Sequence, residues 1–86
     1  MELFNSLLFR PKLSSSGTIA AHTFDNSYGV SVITDGYGNS NAPYEVAITL
    51  HGDITYESYI TDGVLGWLTD KDVDVIMHRV KALPNK

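Results

Sequence analysis

Only one stretch of this 86-residue chain reads as a long helix, and that helix needs an apolar surface to lie on. Val73, Ile76, Met77, Val80 and Leu83 recur at three- and four-residue spacing and make a single stripe. Thr69-Asp70-Lys71-Asp72 ahead of them is a capping-box start with Asp in the third helical position. Asp70, Asp72 and Asp74 suit the positive end of the helix dipole. His78, Arg79 and Lys81 suit the negative end, and Pro84 stops the run. The helical unit is therefore predicted over 69–83, and its partner surface must come from the residues before it.

Those residues change from helical to strand periodicity. Tyr44 to Leu50 alternates cleanly, with Tyr44, Val46, Ile48 and Leu50 on one face and Glu45, Ala47 and Thr49 on the other. Thr18–Phe24 and Tyr28–Thr34 read as two further strands across the turn Asp25-Asn26-Ser27, with Tyr28, Val30 and Val32 sharing a face. Ile54–Ile60 reads as the partner of Tyr44–Leu50 across His51-Gly52-Asp53. Pairing Leu50 with Ile54 sets Ile48 against Tyr56, Val46 against Ser58 and Tyr44 against Ile60, which keeps one apolar face. Pairing Leu50 with Asp53 would set Val46 against Glu57, so a three-residue loop or a bulge is expected.

The remaining segments are connections. Asp35 to Pro43 holds two Gly and two Asn and is expected to be a mobile loop. Thr61 to Leu68 is expected to contain a tight turn or one helical turn, with Trp67 and Leu68 packed into the core. Leu3 to Phe9 suits a short amphipathic helix or the start of a strand, added to the sheet edge or packed beside the helix. The predicted fold is a single α+β domain: residues 1–17 an N-terminal segment and loop, 18–60 a four-stranded antiparallel β-meander, and 69–83 a C-terminal α-helix packed on one face.

Charge narrows the function classes. The chain carries six Lys and Arg against ten Asp and Glu, a net −4. From Leu13 to Asp70 there is no Lys or Arg, while Asp25, Asp35, Glu45, Asp53, Glu57, Asp62 and Asp70 make that stretch −7. A nucleic-acid partner is disfavoured, because phosphate neutralisation needs clustered bases. Asp25, Asp35, Asp53 and Asp62 are explained by turns and Asp70 by the helix start, which leaves Glu45 and Glu57 on the solvent face of the sheet. There is no cysteine, hence no disulfide and no zinc–thiolate site. No apolar run is long enough to span a membrane, and Met1–Arg10 does not have the pattern of a signal peptide.

Catalytic signatures are absent from the text of the chain. His22, His51 and His78 show no ligand spacing, so no metal site is expected. Asp70-Lys71-Asp72-Val73-Asp74 opens like a calcium loop but has Val75 where glycine and Lys81 where glutamate are needed. Gly36-Tyr37-Gly38 begins like a dinucleotide loop, yet Asn41 stands where the third glycine belongs. Glu45 and Glu57 share a face as a glycosidase pair would, but on a flat surface. A non-enzymatic protein without a cofactor is expected, and binding residues are sought instead. Tyr37, Glu45, Glu57 and Tyr59 are the candidates, Tyr37 in the loop and the others on the open sheet face. Tyr44 and Tyr56 read as core fill. Val75, His78, Arg79 and Ala82 form the outer side of the helix and are a candidate homodimer face.

Three stretches carry a resemblance: Phe24-Asp25-Asn26-Ser27-Tyr28-Gly29-Val30-Ser31-Val32-Ile33; Pro43-Tyr44-Glu45-Val46-Ala47-Ile48; and Ile60-Thr61-Asp62-Gly63-Val64-Leu65-Gly66-Trp67-Leu68-Thr69 with Asp72-Val73. Over residues 18–83 this text resembles a group of small, uncharacterised proteins of tailed bacteriophages and prophages. The resemblance implies an accessory protein in the host cytoplasm that binds a host or phage protein. It transfers no active-site residue.

Overall fold

The computed structural model describes residues 1–13, 15–55 and 64–85. Its elements run α1 (Glu2–Asn5), β1 (Arg10–Pro11), β2 (Thr18–Thr23), β3 (Tyr28–Ile33), β4 (Tyr44–Leu50), β5 (Asp53–Ile54), β6 (Val64–Leu68) and α2 (Asp70–Lys81). The class is α+β, with an antiparallel sheet and a C-terminal helix, as the periodicities require. Among the described residues the sheet has six strands rather than the expected four. Its order is β1-β2-β3-β4-β5, and β6 also pairs with β4.

The two additional strands have separate causes. Residues 1–11 realise both readings of the N-terminus. Leu3, Phe4 and Leu7 pack on the core, and Arg10 and Pro11 then pair with Ile19 and Thr18 at the sheet edge. Proline is tolerated there because an edge strand can spare an amide. At the other side, Val64–Leu68 of the segment expected to hold a turn is strand β6, and residues 61–63 lie outside the described residues. It runs antiparallel to β4 with Ala47↔Val64, Val46↔Leu65 and Tyr44↔Leu68, so two residues of β6, Gly66 and Trp67, oppose Glu45 alone. That extra residue is a β-bulge, placed at Gly66-Trp67.

The β4–β5 register also differs from expectation. Leu50 pairs with Asp53 and Thr49 with Ile54, leaving only His51 and Gly52 in the turn. Both have positive φ, 52° and 89°, as the two-residue primed turns that match strand twist demand. Face matching failed because it assumed one continuous partner for β4. Instead β5 pairs only at the turn end, and β6 takes over alongside Tyr44–Ala47. Ile54 is accordingly exposed on the outer face. The predicted remainder of that strand, 56–60, lies outside the described residues.

Helix α2 packs on the inner face of the sheet, where Val30, Val32, Val46, Ile48, Val73, Met77 and Val80 are fully buried. Its start has the full reciprocal capping box. The Thr69 hydroxyl accepts from the Asp72 amide, and Asp72 accepts from the Thr69 amide at 2.9 Å. Its end is closed from the β2–β3 turn. Buried Asn26 donates from Nδ2 to the carbonyls of Val80 (2.9 Å), Lys81 (3.2 Å) and Leu83 (2.9 Å), and its Oδ1 accepts from the Tyr28 amide. The last-turn carbonyls of a helix lack partners of their own, so this one side chain satisfies a group of them. On the flank, Asp74 accepts the Phe4 amide at 2.8 Å and joins α1 to α2. Among the described residues, no helix is long and apolar enough to cross a membrane.

Candidate functional site

The loop after β3 is organised from its base upward. Thr34 bonds back to Thr18 through both its amide and its hydroxyl, and Lys12 Nζ donates to the Thr34 carbonyl at 2.7 Å. Ser16 donates to Asp35. Farther out, Asn39 Oδ1 accepts from the amides of Asn41 and Ala42, while the Asn39 amide donates to the Ala42 carbonyl. Such Asx turns supply partners inside a loop that has no sheet ladder. The segment read from composition as a mobile loop therefore has a bonded framework.

Tyr37 is held at the centre of this loop by both of its backbone groups. Its amide donates to Glu45 Oε1 at 2.9 Å, and its carbonyl accepts the Trp67 amide at 2.7 Å. The two rings then stack, with centroids 5.7 Å apart and planes 25° from parallel. Both are exposed, Tyr37 at 59% and Trp67 at 60%. Gly36 and Gly66 permit this approach. A Cβ on Gly66 would lie 2.6 Å from Tyr37 Cβ, and one on Gly36 would lie 2.8 Å from Glu45 Oε1. The Tyr37 amide, which a phosphate-cradling loop would offer to its ligand, is thus given to a carboxylate.

Tyr37 and Glu45 are therefore brought together. Glu57 and Tyr59 lie outside the described residues, and so does Tyr56. Tyr44 packs edge-on to Phe4, with centroids 5.3 Å apart, as core fill should. Val75, His78 and Arg79 on α2 and Ala82 at its C-cap are all exposed, but His78 Nε2 is already 3.4 Å from Asp74 Oδ2. Trp67 corrects the expectation that it packs inward. The bulge turns it out of the core, and its φ of 52° is rare for a bulky residue. Gly66 carried the missed signal, since glycine within a strand marks a bulge or a close backbone approach.

The acids near the start of α2 have structural partners. The Asp72 carboxyl is held below the usual carboxylate range by the Thr69 backbone amide and then by the Thr69 side chain. Asp74 is held low chiefly by the Phe4 amide. Desolvation opposes that shift, while the terminal amine and His78 add to it. Among the described residues, no group of three His, Cys, Asp or Glu is placed to hold a metal ion. Beside the aromatic pair, a cleft of about 530 Å³ is lined by Gly17, Thr34, Asp35, Gly36, Gly38, Asn39, Ser40 and Pro43. Comparison with known proteins gives no match: no family model, no curated protein and no solved structure is significantly similar to this chain.

Proposed function

We propose that the chain is a non-enzymatic bacteriophage accessory protein that binds a host or phage protein through the Tyr37–Trp67 surface. The observation that carries this reading is a pair of stacked rings left in solvent, yet tied to each other and to Glu45 by backbone hydrogen bonds. Ordered, exposed aromatic rings offer large contact area at low entropy cost, which is why Tyr and Trp dominate binding hot spots. The absence of lysine and arginine between Leu13 and Asp70 favours a partner with a basic rim. The phage resemblance supplies the setting, the cytoplasm of an infected bacterium.

Capture from bacterial lysate tests the reading, with the wild type compared against Tyr37→Ala, Trp67→Ala and Val75→Asp. The expected result is a partner retained by the wild type and Val75→Asp and lost from both ring variants. Capture indifferent to the rings would refute it. Trp67 is the chain's single tryptophan, so its emission should also shift when that partner binds.

A second reading is a small-molecule binder using the loop 35–43, and it is favoured by the cleft beside Asp35, Asn39 and Ser40. Native mass spectrometry with host metabolites tests it. A retained ligand whose binding fails in Asn39→Ala would support it, and an empty protein with no thermal shift would remove it.

A further inference from the structure

Among the described strand residues, the outer face of the sheet carries two charges, of opposite sign. The described strand residues that alternate onto it are Arg10 on β1; Ile19, Ala21 and Thr23 on β2; Gly29, Ser31 and Ile33 on β3; and Glu45, Ala47 and Thr49 on β4. Ile54 and Val64 follow at the far edge. The register sets Arg10 beside Ile19, Ile19 beside Ile33 and Ile33 beside Glu45. One lateral row therefore reads positive, apolar, apolar, negative. With strands about 4.8 Å apart, the backbone positions of its two charged residues stand about 14 Å from each other. Among the described residues the ion pairs all involve Asp74, and neither Arg10 nor Glu45 has one.

Such a row is complementary to itself. A two-fold axis parallel to the strands, between β2 and β3, reverses the row and brings Arg10 of one copy over Glu45 of the other. The same operation sets Ile19 over Ile33, and in the next row Ala21 over Ser31. These small residues let two sheets approach to the usual distance of about 10 Å with their strands aligned. Reciprocal pairing of two residues is what a two-fold interface requires. We infer that this face is the contact between two copies of the chain, centred on the Arg10–Ile19–Ile33–Glu45 row.

Exposure and size agree with this occupant. Leu8 is 81% exposed and borders Arg10, Ile19 and Ala21. Arg10 and Ala21 are exposed, and Ile19, Ile33 and Glu45 are half-buried. Ala47 and Thr49, farther along, are already buried at 7% each, so the contact lies on the β1–β3 side of the face. Four strands of this length make a small contact, at the low end of specific interfaces, so the pairing is a concentration-dependent equilibrium. Glu45 also holds the Tyr37 amide through Oε1, so this contact borders the Tyr37–Trp67 stack and shares Glu45 with it. Ile19, two strands away on β2, belongs to the contact alone, so Ile19→Asp separates this inference from the binding reading.

Sedimentation of the full chain over a wide concentration range is the test, at low and high salt. The wild type should move from 9.5 kDa towards twice that mass, more weakly at high salt. Arg10→Glu should stay monomeric with unchanged far-UV circular dichroism, and adding Glu45→Arg to it should restore association. Ile19→Asp, at the centre of the row, should also stay monomeric. A wild type that is monomeric throughout would overturn the inference. So would a dimer indifferent to both Arg10→Glu and Ile19→Asp, or one abolished by Val75→Asp, which would move the contact to α2.

Discussion

Trp67 occupies a backbone conformation that costs an L-residue about 1 kcal/mol or more and costs glycine nothing. In an ordinary strand, replacement by glycine is worse than replacement by alanine. At position 67 the order should invert. Both Trp67→Gly and Trp67→Ala lose the stack on Tyr37, but only alanine retains the strain. Urea denaturation should therefore find Trp67→Gly the more stable of the two by about 1 kcal/mol. Equal stability, or the usual strand order, would mean that the bulge relaxes once the ring is gone. Asn26 presents the reverse case, a residue whose side chain is irreplaceable. Asn26→Ala removes the side-chain donor shared by the carbonyls of Val80, Lys81 and Leu83, of which Val80 keeps the Leu83 amide, and should cost about 1–3 kcal/mol. Asn26→Asp should cost more, because it also sets a negative charge against the negative end of α2.

At the level of elements, α1 depends on one carboxylate. Asp74 accepts the Phe4 amide, and its ionised form is the one that this bond favours. Its folded pKa lies below the unfolded value of about 3.9, so its contribution is complete above that pH and is lost as pH falls through the folded value. Asp72 acts with the same sign. Stability should therefore be level from pH 7 to about 5 and decline below about 4, and Asp74→Asn should show a shallower acid limb than the wild type. Urea midpoints at several pH values would show this, and an unchanged acid limb in Asp74→Asn would contradict it. Helix α2 and strand β4 were legible in the sequence because each has an undisturbed period over its whole length. Thr69–Asp72 also announced its cap. Strand β6 was not legible, because the bulge at Gly66-Trp67 breaks the alternation and puts Leu65 and Leu68 on one side at an odd spacing. The β4–β5 register was misread for a related reason: the apolar text of β4 does not say that two different segments share its edge. Of the site, Tyr37 and Glu45 could be named from residue type and placement. Trp67 could not, since its outward turn depends on that same bulge.

Across the whole molecule, the sheet and the helix are joined by bonds between residues far apart in sequence, and that from Asn26 to Val80 spans 54 positions. This has a kinetic consequence. The turn that carries Asn26 and the helix end that receives it must both exist before the side chain can bridge them. Its bonds are therefore expected to form after the rate-limiting step of folding. Asn26→Ala should leave the refolding rate nearly unchanged and speed unfolding by most of its stability loss, which stopped-flow measurement of both limbs would reveal. A slowed refolding limb would instead place the closure of α2 in the folding nucleus. If the refolding limb is unmoved, Asn26 is a latch: it sets how long a folded molecule stays folded, and has little part in how quickly it forms.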